Sequence, residues 1–119
     1  MSKRILSVSY HEELLTTRRM LLEHEGYQVT SALGFTESLE RCRKGGFDLF
    51  ILGHSIPDLD KKELIKSFRN SNGAPVLSLL RQGELPVSVA DYQAPVDNPA
   101  EFLKTVGEIL GRSSTASTD

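Results

Sequence analysis

The sequence lacks several features that would fix its class at once. It has one cysteine, Cys42, so an intramolecular disulfide is excluded, as expected in a reducing cytoplasm. No apolar run approaches the roughly 20 residues of a membrane-spanning helix, and the short run 5–8 is too brief for a signal-peptide core. The net charge of −2 provides no excess of positive charge for DNA, RNA or an anionic membrane. We therefore expect a soluble cytoplasmic domain that binds neither nucleic acid nor a membrane.

The length and composition are those of one globular domain. A chain of 119 residues falls in the commonest range of domain sizes. Hydrophobic residues make up 39% and charged residues 25%, which is enough apolar content for a core and enough charge for solubility. We expect the domain to cover residues 1–111 and the polar Ser/Thr-rich tail 112–119 to be disordered.

Strand-like apolar runs alternate with helical patterns along the chain. Strands are predicted near 5–8, 27–32, 48–52, 75–80 and 91–95, and helices near 11–25, 36–44, 60–70 and 99–110. The interval 81–90 contains glycine, proline and two valines, so the fourth helix is expected to be shortened or irregular. Strands separated by helices predict a doubly wound α/β fold with a parallel sheet.

Several side chains have a predicted local role. Asp60 and Glu63 have the spacing of a capping box, which predicts a helix start at Asp60. Lys61 is then expected on a solvated face, whereas Cys42 is expected in the core. Arg18 interrupts an apolar stripe, so its stem is expected to pack while its guanidinium reaches water.

Four segments resemble the receiver domain of response regulators, the CheY-like superfamily. They occur in the family's order and separations, and they are Lys-Arg-Ile-Leu at 3–6, Glu-His-Glu-Gly-Tyr-Gln-Val at 23–29, Phe-Asp-Leu-Phe-Ile-Leu at 47–52, and Ile-Pro-Asp-Leu-Asp at 56–60. The resemblance covers about residues 3–111. It implies a flavodoxin-like (βα)5 sandwich with strand order 2-1-3-4-5, working in two-component or phosphorelay signal transduction.

The resemblance also locates the family's phosphorylation site, and this chain departs from it. The aspartate that accepts the phosphoryl group corresponds to Gly53, which has no side chain. The two acidic residues that hold magnesium correspond to Ser9 and Tyr10. A hydroxyl and a phenol do not supply the hard, charged oxygens that magnesium needs.

Two further family positions are also replaced. The serine or threonine that ends strand four corresponds to Leu80, or to Ser78 with a two-residue slip. The family's lysine before a proline corresponds to Ala94, which precedes Pro95. Because nucleophile, metal ligands and lysine are lost together, the resemblance implies a degenerate pseudo-receiver that is not an enzyme and has no metal or other cofactor.

The loops that follow the strands suggest an alternative use of the same crevice. His11, His54 and Asp58 could bind a transition metal, or Arg81 and the histidines could bind an anion. The other interpretation is that these are solvated loop residues with no ligand. The alternative function is therefore a ligand- or metal-binding sensor module.

The segment after the fourth strand carries apolar residues outside any regular element. Two interpretations remain open: an exposed patch that contacts a protein, or a loop folded back on the core. The residues concerned are Leu85, Val87, Val89 and Tyr92. The leading hypothesis is a module that acts by phosphorylation-independent protein contact with a histidine kinase, another regulator or a second copy of itself.

Overall fold

The computed structural model describes residues 2–81, 83–85 and 89–111. Within these residues five strands and four helices alternate. The strands are β1 (Arg4–Ser9), β2 (Gln28–Leu33), β3 (Leu49–Leu52), β4 (Val76–Leu80) and β5 (Tyr92–Pro95). The helices are α1 (Glu12–His24), α2 (Phe35–Lys44), α3 (Asp58–Ser71) and α4 (Pro99–Ile109). All neighbouring strands pair in parallel, in the order β2-β1-β3-β4-β5, which confirms the predicted fold class.

The sheet has a hydrophobic core on each face. Leu6 and Val8 of β1 pack with residues of α2 and α3, including Phe68. Ile5 of β1 packs on the opposite face with residues of α1 and α4, including Leu22. Successive strand residues point to opposite faces, so continuously apolar strands are what a sheet covered on both sides requires.

The described residues between β4 and β5 form no helix, in agreement with the irregular fourth helix that was predicted. Val87 lies outside the described residues, as does the tail 112–119, so the predicted disorder of that tail and the domain boundary at 111 stay predictions. None of the described helices is long and apolar enough to cross a membrane.

The start of α4 agrees with its sequence signal. The Asn98 side chain accepts a hydrogen bond from the Glu101 amide at 3.0 Å, and proline occupies the first helical position. This pairing satisfies one of the amide donors that every helix leaves without an internal partner.

The start of α3 differs from its prediction. The helix begins at Asp58 after Pro57, because the Pro57 carbonyl accepts the first helical hydrogen bond from the Lys61 amide at 2.9 Å. Proline has no side-chain acceptor, so the helix start has no side-chain cap. The capping-box prediction at Asp60 is therefore wrong. The Asp60 carboxylate lies inside the first turn and accepts a hydrogen bond from the Tyr10 hydroxyl at 2.7 Å.

Candidate functional site

The carboxyl ends of the strands form an edge at which ligands bind in open parallel sheets. Gly53 directly follows β3, and its amide donates to the Val8 carbonyl at 2.9 Å. The strand registers, extended by one residue, place four residues in a row across this edge: Ser9, Gly53, Leu79 and Ala94. Gly53 has no side chain, and Ser9 and Ala94 have small ones.

A side chain at position 53 would be crowded by its neighbours. Its backbone is not in the left-handed region that favours glycine. A Cβ added to Gly53 would lie 2.9 Å from Nη1 of Arg18, 3.2 Å from the Val8 carbonyl oxygen and 3.3 Å from Oγ of Ser9. Real Cβ atoms essentially never approach another atom as closely as 2.9 Å, so the Arg18 side chain would have to shift. The Arg18 guanidinium thus lies against the place where a side chain of residue 53 would begin.

Arg18 is buried, so the prediction that its guanidinium reaches water is wrong. It lies on the face of α1 that turns to the sheet, between Leu15 and Leu22, and is 6% exposed. Neither Nη1 nor Nη2 has a hydrogen-bond partner within the described part of the chain. Burial lowers the pKa of Arg18 to about 10, so the group remains charged at neutral pH.

The two acid-pair positions are occupied by neutral, engaged side chains. Ser9 is fully buried, and its Oγ accepts a hydrogen bond from the His11 amide at 3.0 Å. The Tyr10 hydroxyl donates to Asp60, and burial together with that carboxylate raises the pKa of Tyr10. Magnesium takes carboxylate oxygens in octahedral geometry, whereas this edge offers two engaged hydroxyls and a guanidinium. The residues present do not fit a magnesium ion.

Lys61 is a second buried cation, which contradicts its prediction as a solvated residue. Its side chain is fully buried, and Nζ donates to Oγ of Ser78 at 2.9 Å and to the Leu79 carbonyl at 3.4 Å. Burial lowers the pKa of Lys61, while the carboxylates of Glu84 and Asp58 partly oppose that effect. Of the two candidate positions at the end of β4, Ser78 holds this ammonium and Leu80 is half-buried.

Both buried cations had a signal in the sequence. Arg18 stands three residues after Leu15 and four before Leu22 on the buried face of α1, and Lys61 stands three residues before Leu64 on the buried face of α3. A cation at a position that helical periodicity assigns to the core must lose its charge, form hydrogen bonds or bind an anion. That criterion marks both residues as candidates, although it does not show whether the charged end is buried.

The loop after Gly53 adds further polar atoms to the crevice. Nδ1 of His54 and Oγ of Ser55 are buried without a hydrogen-bond partner among the described residues. Burial lowers the pKa of His54, and the positive charges of Arg81, Arg18 and His11 lower it further against the opposing effect of Glu84. Two arginines, Arg81 and Arg18, thus act on the His54 side chain.

The metal-binding hypothesis has no support from this geometry. Across residues 2–81, 83–85 and 89–111, no group of three or more His, Cys, Asp or Glu side chains is placed to hold a metal ion. Asp58 is exposed at the first position of α3, and His11 is exposed before α1. His54 is half-buried, and Arg81 is exposed on the wall of an adjoining groove of about 450 Å³.

The predicted interface residues are exposed where they are described. Leu85 is 82% exposed, Tyr92 46% and Val89 37%. Val87 lies outside the described residues. The exposure of the other three is compatible with the exposed-patch interpretation, which stays a prediction. We call Leu85, Val89 and Tyr92 the β5 patch.

No protein-family model matches the sequence. The chain is 32% identical over 124 residues to the alkaline phosphatase synthesis transcriptional regulatory protein PhoP of Bacillus subtilis, covering 98% of this chain and 52% of that protein. It is 29% identical over 119 residues to the regulatory protein VanRc of Enterococcus gallinarum, covering 94% of this chain and 52% of that protein. The chain thus spans about half the length of these curated relatives.

Solved structures show the same likeness. A CheY-like response regulator receiver domain protein from Methanospirillum hungatei superposes with a TM-score of 0.80 at 26% identity, covering 98% of this chain and all of that one. The response regulator TrrA of Thermotoga maritima, solved with Mg²⁺-BeF, has a TM-score of 0.74 at 25% identity, covering 91% of this chain and 99% of that one. TrrA in complex with the histidine kinase ThkA matches at TM-score 0.75 and 25% identity, covering 91% of this chain and 98% of the matched chain. Together with the strand order, these likenesses identify the chain as a response-regulator receiver (CheY-like) domain.

Proposed function

We propose that this receiver domain is a pseudo-receiver, a signalling module that transmits through protein contact without accepting a phosphoryl group. The pairing of Gly53 with the buried guanidinium of Arg18 carries this proposal. A position that needs a carboxylate for phosphorylation has no side chain, and a cation lies against it. Restoring an aspartate there would require Arg18 to move.

The chemistry of phosphoryl transfer supports the same conclusion. The reaction depends on a placed nucleophile and on metal and cationic groups that stabilise the charge of the transferring group. Gly53 supplies no nucleophile, and Ser9 and Tyr10 supply no charged oxygen for a metal. Leu80 and Ala94 stand at the family's remaining switch positions. We therefore propose a module that is not an enzyme and takes no metal cofactor.

For the partner we propose a histidine kinase or another regulator of a two-component or phosphorelay system. TrrA, a receiver of the same fold, is seen in complex with the kinase ThkA. In this chain the residues of the β5 patch are exposed, and Tyr92 belongs to the edge strand of the sheet. Exposed clusters of large apolar side chains commonly mark protein interfaces. A second copy of the chain is the alternative occupant of this surface.

Partner capture on the immobilised chain tests this proposal. We expect Leu85→Lys with Tyr92→Lys to abolish capture of a candidate kinase or regulator. The matched control is Met20→Lys with Leu59→Lys, which adds the same charges at apolar residues that are 63% and 79% exposed elsewhere. Capture should be equal with and without acetyl phosphate and magnesium. Capture that requires the phosphodonor, or that survives the β5-patch substitutions, would contradict the proposal.

A further inference from the structure

The Arg18 guanidinium is buried, and its terminal nitrogens have no hydrogen-bond partner among the described residues. An ionised group inside a protein is costly unless hydrogen bonds and an opposite charge compensate it. Arg18 is 6% exposed, and both of its terminal nitrogens lack a hydrogen-bond partner among the described residues. Lys61, the other buried cation, bonds to Ser78 and to a carbonyl. Of these two buried cations, only Arg18 therefore lacks hydrogen-bond partners for its terminal nitrogens among the described residues.

The neighbouring loop carries two more buried polar atoms without partners. They are Nδ1 of His54 and Oγ of Ser55, the first and second residues after Gly53. A serine hydroxyl donates a hydrogen bond, and an imidazole nitrogen does so in one of its two tautomers. Arg18, His54 and Ser55 therefore offer donors near Gly53 that would suit an acceptor with several oxygens.

The surrounding charges favour an anion. Arg81 and His11 act on His54 as positive charges, together with Arg18. The nearby carboxylates either accept hydrogen bonds from other residues or are exposed to solvent. Glu84 accepts a hydrogen bond from the Arg81 amide at 2.9 Å, Asp60 accepts from Tyr10, and Asp97 is exposed on the wall of the adjoining groove.

We propose that the crevice beside Gly53 binds a small oxyanion of the phosphate class without forming a covalent bond, with the Arg18 guanidinium as its main ligand. A guanidinium presents a planar fork of donors that matches two oxygens of a phosphate at once. Arg81, which acts on His54, also lines a groove of about 450 Å³ together with Ala94. The nitrogens of Arg18 are shielded from solvent, so binding requires a small displacement of the loop 53–57.

This inference goes beyond the pseudo-receiver proposal and does not depend on it. Calorimetry and thermal unfolding with inorganic phosphate, glycerol 3-phosphate and acetate, at constant ionic strength in a chloride buffer, test it on the full chain. We expect inorganic phosphate to bind saturably and to raise the unfolding temperature, since a ligand of the folded state must stabilise it. If glycerol 3-phosphate also binds, the ligand is a phosphoryl group on a larger molecule. If only inorganic phosphate binds, the ligand is the free ion.

Variants separate the crevice from the rest of the surface. Arg18→Leu should weaken phosphate binding by about tenfold or more, the value expected for losing hydrogen bonds from a charged group. Arg18→Lys, which keeps the charge and loses the fork, should bind with intermediate affinity. The matched control Arg19→Leu removes an exposed arginine from the same helix and should change affinity by less than about twofold. Circular dichroism verifies that each variant is folded.

Amide chemical shifts locate the bound ion. Phosphate should shift the amides of Gly53, His54 and Ser55 saturably in the wild-type chain and leave them in place in Arg18→Leu. The inference is overturned if no anion binds saturably, if acetate binds as tightly as phosphate, or if the shifts lie only at other residues. Equal affinity in wild type and Arg18→Leu would also overturn it.

Discussion

Replacing Arg18 by leucine should make the protein more stable in the absence of a ligand anion. Burial lowers the pKa of Arg18 from its ordinary value to about 10, which corresponds to a cost of about 3 kcal/mol for keeping the charged form in the fold. A leucine at this position continues the buried series of Leu15 and Leu22. Buried charges replaced by apolar side chains commonly yield a gain of about 1–4 kcal/mol. Allowing for imperfect packing, we expect a gain of about 2 kcal/mol in the free energy of unfolding.

Urea and thermal unfolding in a buffer without phosphate or sulfate measure this gain. For a domain of this size, about 2 kcal/mol raises the unfolding temperature by roughly 8 °C. Native and unfolded Arg18 are both protonated well below pH 10, so the cost to the wild type is fully present there and disappears only as pH rises from about 10 towards 12.5. The gain should thus be constant between about pH 7 and 9, and saturating phosphate should reduce it.

The exposed neighbour is the control for this measurement. Arg19→Leu should change the free energy of unfolding by no more than about 0.5 kcal/mol, as is usual for surface substitutions. If Arg18→Leu instead destabilises the protein by more than about 1 kcal/mol, a stabilising partner of the guanidinium exists. The description of Arg18 as an unpaired buried cation would then be refuted.

Three further substitutions test the neighbouring contacts. Gly53→Ala should lower the free energy of unfolding by about 1–2 kcal/mol, because its Cβ would meet Nη1 of Arg18. Urea unfolding of the double mutant should show a smaller loss when Arg18→Leu is already present. Burial lowers the pKa of Lys61, so unfolding measured against pH should show the wild type gaining stability relative to Lys61→Met as pH rises from neutral towards 10.5. Tyr10→Phe removes the 2.7 Å hydrogen bond to the first turn of α3 and should lower the unfolding free energy by about 1 kcal/mol, and a neutral result would show that this bond adds no stability.

The fold was predictable because local signals agree with one another along the chain. Apolar strand runs, helical periodicity and the Asn98 cap of α4 each indicate the same element order, and all are confirmed. The start of α3 was placed two residues late because the Asp60–Glu63 spacing outweighed the proline that fixes the preceding backbone. A capping signature describes a possible hydrogen bond, whereas the strand-to-helix connection decides where the helix begins.

The buried cations could not be placed from local pattern alone. Periodicity put Arg18 on the stripe of α1 that faces the sheet, yet whether its end is buried depends on the space left by Gly53 on another element. Lys61 likewise depends on Ser78 of β4, which supplies its acceptor. Such pairs link residues far apart in the chain, so their arrangement emerges only when the strands are in register.

The central claim is that the Gly53 crevice no longer accepts a phosphoryl group. Its most direct test is the intact mass of the chain after incubation with acetyl phosphate and magnesium, with an active receiver domain as the positive control. We predict that the active receiver gains the mass of one phosphoryl group and that this chain remains unmodified. A hydroxylamine-sensitive acyl phosphate on any aspartate of this chain would contradict the claim.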